Sequence, residues 1–246
     1  MRAAGVLLHI SSLYNKRGIG TLGKEAYDFV DFLKKAKQSY WQVLPLNPTS
    51  FGDSPYQSQS TFAYNPYFID FDLLYNEGLI KKKAIKNSKG IDYNWLFENK
   101  ISILKTCYEF KYKVEIEYEK FLKKNAFWIN DYAIYSAIKE KSNYKPWYLW
   151  DEKLKFHNKK AVEEFKKDNF NLFDQYRFIQ FLFYKQYYNL KKYAQKKGIK
   201  IIGDIPIYVA YDSVDVWINP QMFELNSELE MTFVAGCPPD DFCADG

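Results

Sequence analysis

Two short apolar runs with one amphipathic stretch between them constrain the fold of this chain more than any other feature. Gly5-Val6-Leu7-Leu8-His9-Ile10 has the continuous apolar pattern of a strand covered on both faces. From Lys24 to Ala36, Tyr27, Val30 and Phe32/Leu33 recur at helical spacing with charges between them. Tyr40-Trp41-Gln42-Val43-Leu44-Pro45-Leu46 then reads as a second buried strand, closed by Pro45 and Pro48. Strand, helix, strand over so short a span is a βαβ unit, and such a crossover implies a parallel sheet.

Beyond Phe71 the pattern becomes helical and stays so as far as Gly198. Ile129, Tyr132, Ala133 and Ser136 share one helix face, and Tyr176, Ile179, Phe183 and Leu190 share another. Leu104 and Tyr108 suggest a further helix, carried on through Glu115 to Lys120. The block is too long for a loop and reads as a helical insertion, its last helix capped by Gly198. Ile199-Lys200-Ile201-Ile202-Gly203-Asp204 follows as a third buried strand. The expected organisation is first strands and a loop over 1–74, a helical insertion over 75–172, and crossover helix, third strand and tail over 173–246.

The polar chemistry gathers where these strands end. Gly52-Asp53-Ser54-Pro55-Tyr56-Gln57-Ser58 packs a carboxylate, two hydroxyls, a carboxamide and an aromatic into one turn-rich loop. That mixture suits a sugar, because carboxylates and amides bind hydroxyls while an aromatic face covers pyranose C–H groups. α/β proteins keep ligands just past the C-terminal ends of their parallel strands. Asp204 ends the third strand and is a functional candidate by location; capping of the following turn is the competing role. Asp212-Ser213 reads as a helix N-cap rather than a catalytic pair. Gly18-Ile19-Gly20 raises a nucleotide or phosphate binder, but lacks the third glycine such a loop needs.

Composition excludes more than it selects. The net charge of +5 comes from lysines scattered along the chain, without a nucleic-acid reading module. Aromatic residues make up 20% of the chain and occur throughout, so only those inside polar loops are candidate ligand contacts. Three cysteines (Cys107, Cys237 and Cys243) and no signal-like N-terminus point to a reducing, cytoplasmic setting. His9 and His157 are the only histidines, too few and too separated to build a zinc site with the cysteines. No apolar stretch approaches the roughly 20 residues of a membrane span.

Several of these segments closely resemble the amylomaltases, the 4-α-glucanotransferases or disproportionating enzymes of the α-amylase-like clan. They are residues 5–13, 40–46 and 52–58, then Gly203-Asp204-Ile205-Pro206-Ile207-Tyr208-Val209-Ala210 with Asp212-Ser213, and Val234-Ala235-Gly236-Cys237-Pro238-Pro239-Asp240. The helical block matches more loosely. The resemblance implies the N-terminal part of a (β/α)8 barrel with a long helical insertion, acting on maltodextrins by retaining double displacement. Retention needs two carboxylates about 5–5.5 Å apart. A sugar hydroxyl replaces water as the second acceptor, so glucan and glucose are the partners and no cofactor is implied.

By the same resemblance, Tyr56 and Ser54 contact the donor-side glucose, and Asp204 orients substrate rather than attacking it. Asp240 and Phe242 belong to a lid that packs on the acceptor glucan; Asp241 departs from the aromatic that usually precedes Phe242. The nucleophilic Asp, the acid/base Glu and a further stabilising Asp lie on later strands of the family, and no position here matches them. The expectation is therefore the N-terminal part of an amylomaltase, or else a catalytically dead glucan-binding fragment.

Overall fold

The computed structural model describes residues 2–15, 18–49, 52–81, 90–234, 236 and 238–239. Strands β1 (Gly5–Leu7), β2 (Tyr40–Gln42) and β3 (Lys200–Ile202) form a parallel sheet in the order β1-β2-β3. Val6, Trp41 and Ile201 stand in one register row and face the helices; Trp41 is fully buried. The next row, Leu7, Gln42 and Ile202, points the other way, as the pleat requires. Leu7 is 55% and Ile202 42% exposed, so that face is bare among the described residues. The reading of β1 and β3 as strands covered on both sides is met on one side only: among the described residues the helix-facing row is packed and the other is not.

Helix α1 (Lys24–Lys35) crosses from β1 to β2 and buries Ala26, Val30 and Leu33, leaving Phe32 outside. The turn before it explains Gly20. A Cβ there would stand 1.9 Å from the Ile10 carbonyl oxygen and 2.9 Å from the Leu13 amide nitrogen. The Gly18-Ile19-Gly20 segment is thus a close-packed turn against the exit of β1, with Ile19 buried.

The expected helical block is present as α2 (Phe71–Asn76), α3 (Tyr93–Trp95), α4 (Ile101–Thr106), α5 (Glu115–Lys124) and α6 (Ile129–Lys141). It continues through α7 (Glu152–Lys155), α8 (Lys159–Asp168) and the 27-residue α9 (Phe170–Lys196), and α10 (Val214–Ile218) follows β3. Helix α9, about 40 Å long at the usual rise per residue, packs against α1, α4, α5, α6, α8 and β3. It ends at Gly198 (φ 80°), where Gly198 N–H donates to Gln195 O (3.0 Å) and Ile199 N–H to Ala194 O (2.9 Å). No helix among the described residues is long and apolar enough to cross a membrane.

Two buried glutamines of α9 hold the chain that returns from the β2 loop. Gln180 takes the Tyr64 amide (2.8 Å) and donates to the Tyr64 carbonyl (2.9 Å). Gln186 does the same for Asp70, at 2.8 and 2.9 Å. A third buried polar group, Asp174, joins α9 to the α4–α5 connection: Tyr118 Oη (2.6 Å), Lys111 Nζ (2.9 Å), Arg177 Nε (2.8 Å) and Tyr108 Oη all donate to its carboxylate.

Burial alone would raise the Asp174 pKa, but these donors outweigh it and hold the carboxyl at about 2. His9 is 8% exposed, its ring set edge-on to Phe68, and burial lowers its pKa to about 4. Both shifts predict stability that falls with falling pH, in two windows. From pH 6.5 down to about 4 only unfolded His9 gains a proton; from 3.8 down to about 2 only unfolded Asp174 does. Urea unfolding across this range is expected to show both declines, with His9→Gln making the upper shallower, since half-buried His157 shifts the same way, and Asp174→Asn making the lower shallower, since Asp31 does too.

Candidate functional site

The connections after β2 and β3 meet beyond the C-terminal ends of those strands. The β2 connection is an Ω-shaped loop closed on itself. Asn47 Nδ2 donates to the Thr61 and Ala63 carbonyls (2.9 and 3.0 Å), and Asn65 N–H donates to Leu46 O (2.8 Å). At its tip Gly52 (φ 87°) and Asp53 (φ 55°) are both left-handed, conformations that glycine and, less readily, aspartate tolerate. Ser54 then closes the turn: its Oγ accepts from Tyr56 N–H (3.3 Å) and its carbonyl from Gln57 N–H (3.1 Å).

Tyr56 emerges from that turn 46% exposed, and its hydroxyl donates to Asp204 Oδ2 at 2.8 Å. These two sequence candidates lie 148 residues apart in the chain. Asp204 Oδ1 accepts the Ile205 amide (2.8 Å), so this carboxylate fixes its own turn with one oxygen and meets Tyr56 with the other. The hydrogen bond to Asp204 raises the Tyr56 pKa, with smaller contributions from burial and the nearby negative charge. Ser54 sits in the same loop but spends its hydroxyl on the turn. Asp240 and Phe242 lie outside the described residues.

The Asp212-Ser213 pair divides its work. Ser213 is the N-cap of α10, its Oγ accepting from Val216 N–H at 3.3 Å. Asp212 is not a cap but the centre of a buried cluster reaching into the helical block. Tyr135 Oη (2.8 Å) and Trp147 N–H (3.2 Å) donate to Oδ1, and Lys139 pairs with Oδ2. Sequence reasoning missed this pair because Lys139 sits on a helix face that otherwise reads as apolar.

Behind the loop lies a cavity of about 570 Å³, lined among others by Asp53, Tyr67, Tyr93, Tyr132, Tyr144 and Tyr176. Asp53 is partly withdrawn from water there, and burial raises its pKa against a hydrogen bond from Thr49. No group of His, Cys, Asp or Glu among the described residues is placed to hold a metal ion.

The sequence profile that describes 4-alpha-glucanotransferases matches residues 8–246. This chain belongs to the 4-alpha-glucanotransferase family. It is 46% identical to the 4-alpha-glucanotransferase of Clostridium butyricum over 97% of its own length and 51% of that protein's. It is likewise 46% identical to the 4-alpha-glucanotransferase of Aquifex aeolicus (strain VF5), over 100% of this chain and 51% of the relative. Among solved structures, the amylomaltase from Streptococcus agalactiae, in complex with acarbose, superposes with a TM-score of 0.93 at 43% identity. All of this chain and 52% of that one are covered. The chain thus spans about half the length of the curated relatives it matches, and shares the α/β fold of that part of the amylomaltase.

The Lys139–Asp212 pair fixes the helical block against the segment after β3 in this family member, and its removal is measurable. Lys139→Met leaves the Asp212 charge buried without its cation, at an expected cost of about 3 kcal/mol. The double variant K139M/D212N is expected to regain part of it. Guanidinium unfolding midpoints of the three proteins check this.

Proposed function

We propose that this chain forms the substrate-positioning wall of a 4-alpha-glucanotransferase that moves α-1,4-glucan segments between maltodextrins. The observation that carries the reading is the Tyr56–Asp204 hydrogen bond. An exposed ring and a carboxylate stand side by side beyond the ends of adjacent parallel strands, where α/β folds bind ligands. In this role the Tyr56 ring packs on the C–H face of a glucose residue at the donor side. Asp204 turns its Tyr56-facing oxygen to a sugar hydroxyl; Ser54 keeps the turn that aims Tyr56, and the Ile205 amide aims Asp204.

The chemistry is a retaining double displacement, with one carboxylate attacking the anomeric carbon and one carboxylic acid protonating the leaving oxygen. This reading leaves both groups to later strands of the family. Tyr56 and Asp204 contribute by binding and orienting, which lowers the barrier through proximity. Asp240 and Phe242 take the acceptor glucan in this account. The divisions 1–74, 75–172 and 173–246 serve as first strands and substrate loop, helical insertion, and third strand with the start of the lid.

The bare row Leu7/Ile202 supports placing β1–β3 in a (β/α)8 barrel, whose strands turn such a row toward a packed interior. Ile205, Ile207 and Tyr208, 71%, 85% and 73% exposed, continue that apolar surface past β3. The buried free thiol of Cys107 fits a reducing, cytoplasmic setting.

A chimera joining this chain to the second half of the Aquifex relative tests the proposal. Incubated with maltotriose, it is expected to release glucose and form longer maltodextrins with the total number of glycosidic bonds unchanged. Tyr56→Ala and Asp204→Ala each lower kcat/KM by about 10- to 100-fold, the loss of one hydrogen bond to a charged group. A folded chimera that leaves maltotriose intact, or that only hydrolyses it, contradicts the reading.

A further inference from the structure

The loop carrying Tyr56 and the segment carrying Asp204 follow different strands, so something must hold them in register. Three contacts join the two connections. Ala210 N–H donates to Ser58 O (3.1 Å), and Val214 N–H donates to Gln59 O (3.0 Å). The third uses a side chain. Asp215 receives the Thr61 amide on Oδ2 (2.9 Å) and the Thr61 hydroxyl on Oδ1 (2.7 Å). Among the described residues no other side-chain hydrogen bond, apart from Tyr56–Asp204 itself, spans these two connections.

Both ends of that bridge are rigidly founded. Asp215 lies in the first turn of α10, which Ser213 caps, and Val216 and Trp217 beside it are buried. Trp217 Nε1 donates to Leu154 O (2.8 Å), tying α10 to the helical block. On the other side, Ser58 and Ser60 are buried, and Ser58 Oγ donates to Ser60 O (2.6 Å). The Tyr56 ring at the loop tip is exposed, and among the described residues its side-chain hydrogen bond to the β3 connection is the one to Asp204. Its position is therefore inherited from the clamp at its base.

We infer that Asp215 is a positioning residue of the sugar site: by gripping Thr61 through both carboxylate oxygens it sets the distance between Tyr56 and Asp204, without touching substrate. The inference rests on the reading of Tyr56 and Asp204 as the glucan-binding pair. Thr61 and Asp215 lie 154 residues apart, so the clamp also ties the β2 loop to α10 directly. Substrate affinity then depends on a carboxylate outside the site.

The test uses this chain with tyrosine labelled with carbon-13 at Cζ, the Tyr56 signal being identified by its loss in Tyr56→Phe. In the wild type Tyr56 titrates above the ordinary tyrosine range, since its hydroxyl bonds Asp204. Asp204→Asn brings the titration back toward that range. Asp215→Ala is expected to do the same and to weaken maltoheptaose binding by about 10-fold in calorimetry. Asp215→Asn, which still accepts one Thr61 donor, stays near wild type on both readouts. Should Asp215→Ala fail to fold, Thr61→Val removes one of the two bonds and gives a smaller shift in the same direction.

An Asp215→Ala protein that melts earlier but keeps the wild-type Tyr56 titration overturns the inference, leaving Asp215 a stabilising residue only. A wild-type chain that shows the Tyr56 shift and its loss in Asp215→Ala, yet binds no maltoheptaose at millimolar concentration, upholds the clamp and rejects the glucan reading.

Discussion

Two buried side-chain amides carry the rest of this structure. Gln180 and Gln186 of α9 each satisfy both the N–H and the C=O of one residue in the chain returning from β2, Tyr64 and Asp70. Irregular backbone of that kind has no strand partner, and each buried polar group left unpaired costs about 1–3 kcal/mol. The glutamines supply the partners that a neighbouring strand would otherwise provide. Tyr64 adds a ring stacked on Phe183 at 4.5 Å and 4°. Asp70, so held, caps α2 through Leu73 N–H (2.9 Å) and accepts the Thr21 hydroxyl (2.7 Å). One helix thereby fixes the entry to α1, the start of α2 and the far end of the β2 loop.

With its returning segment anchored, the Ω loop can hold an exposed tip in one place. Gly52 and Asp53 spend backbone strain to turn the chain, and Ser54 locks the turn that projects Tyr56. Across the gap, Asp204 is aimed by the Ile205 amide and the segment behind it is secured through Asp212 to Tyr135, Lys139 and Trp147. The exposed Tyr56–Asp204 pair is thus backed by groups that lie behind it. Preorganisation of this kind lets a binding pair work without losing affinity to loop ordering.

What could be read from the sequence was what is local. The βαβ unit, the helical block, the Gly198 cap and the polar loop each declare themselves within a few residues. The candidacy of Tyr56 and Asp204 followed from their positions after strands, and the structure sets the two in contact. The Asp212 cluster, the Asp174 hub and the glutamine clamps were not legible, because apart from Arg177 beside Asp174 each joins residues 56 or more positions apart. The covering of β1 and β3 was legible only in part: an apolar run states that both faces shun water, and among the described residues the helix-facing row is the packed one. The cavity behind the loop had no signal either, since its tyrosines come from several elements and read singly as core.

Whether glucan sits against the Tyr56–Asp204 pair is tested most directly by amide chemical-shift mapping. When the nitrogen-15-labelled chain is titrated with maltoheptaose, the largest shifts are expected at Asp53–Ser58 and at Gly203 and Asp204. Shifts confined to the cavity-lining residues around Tyr93 and Tyr144, with the Tyr56 loop unmoved at saturation, would contradict that placement.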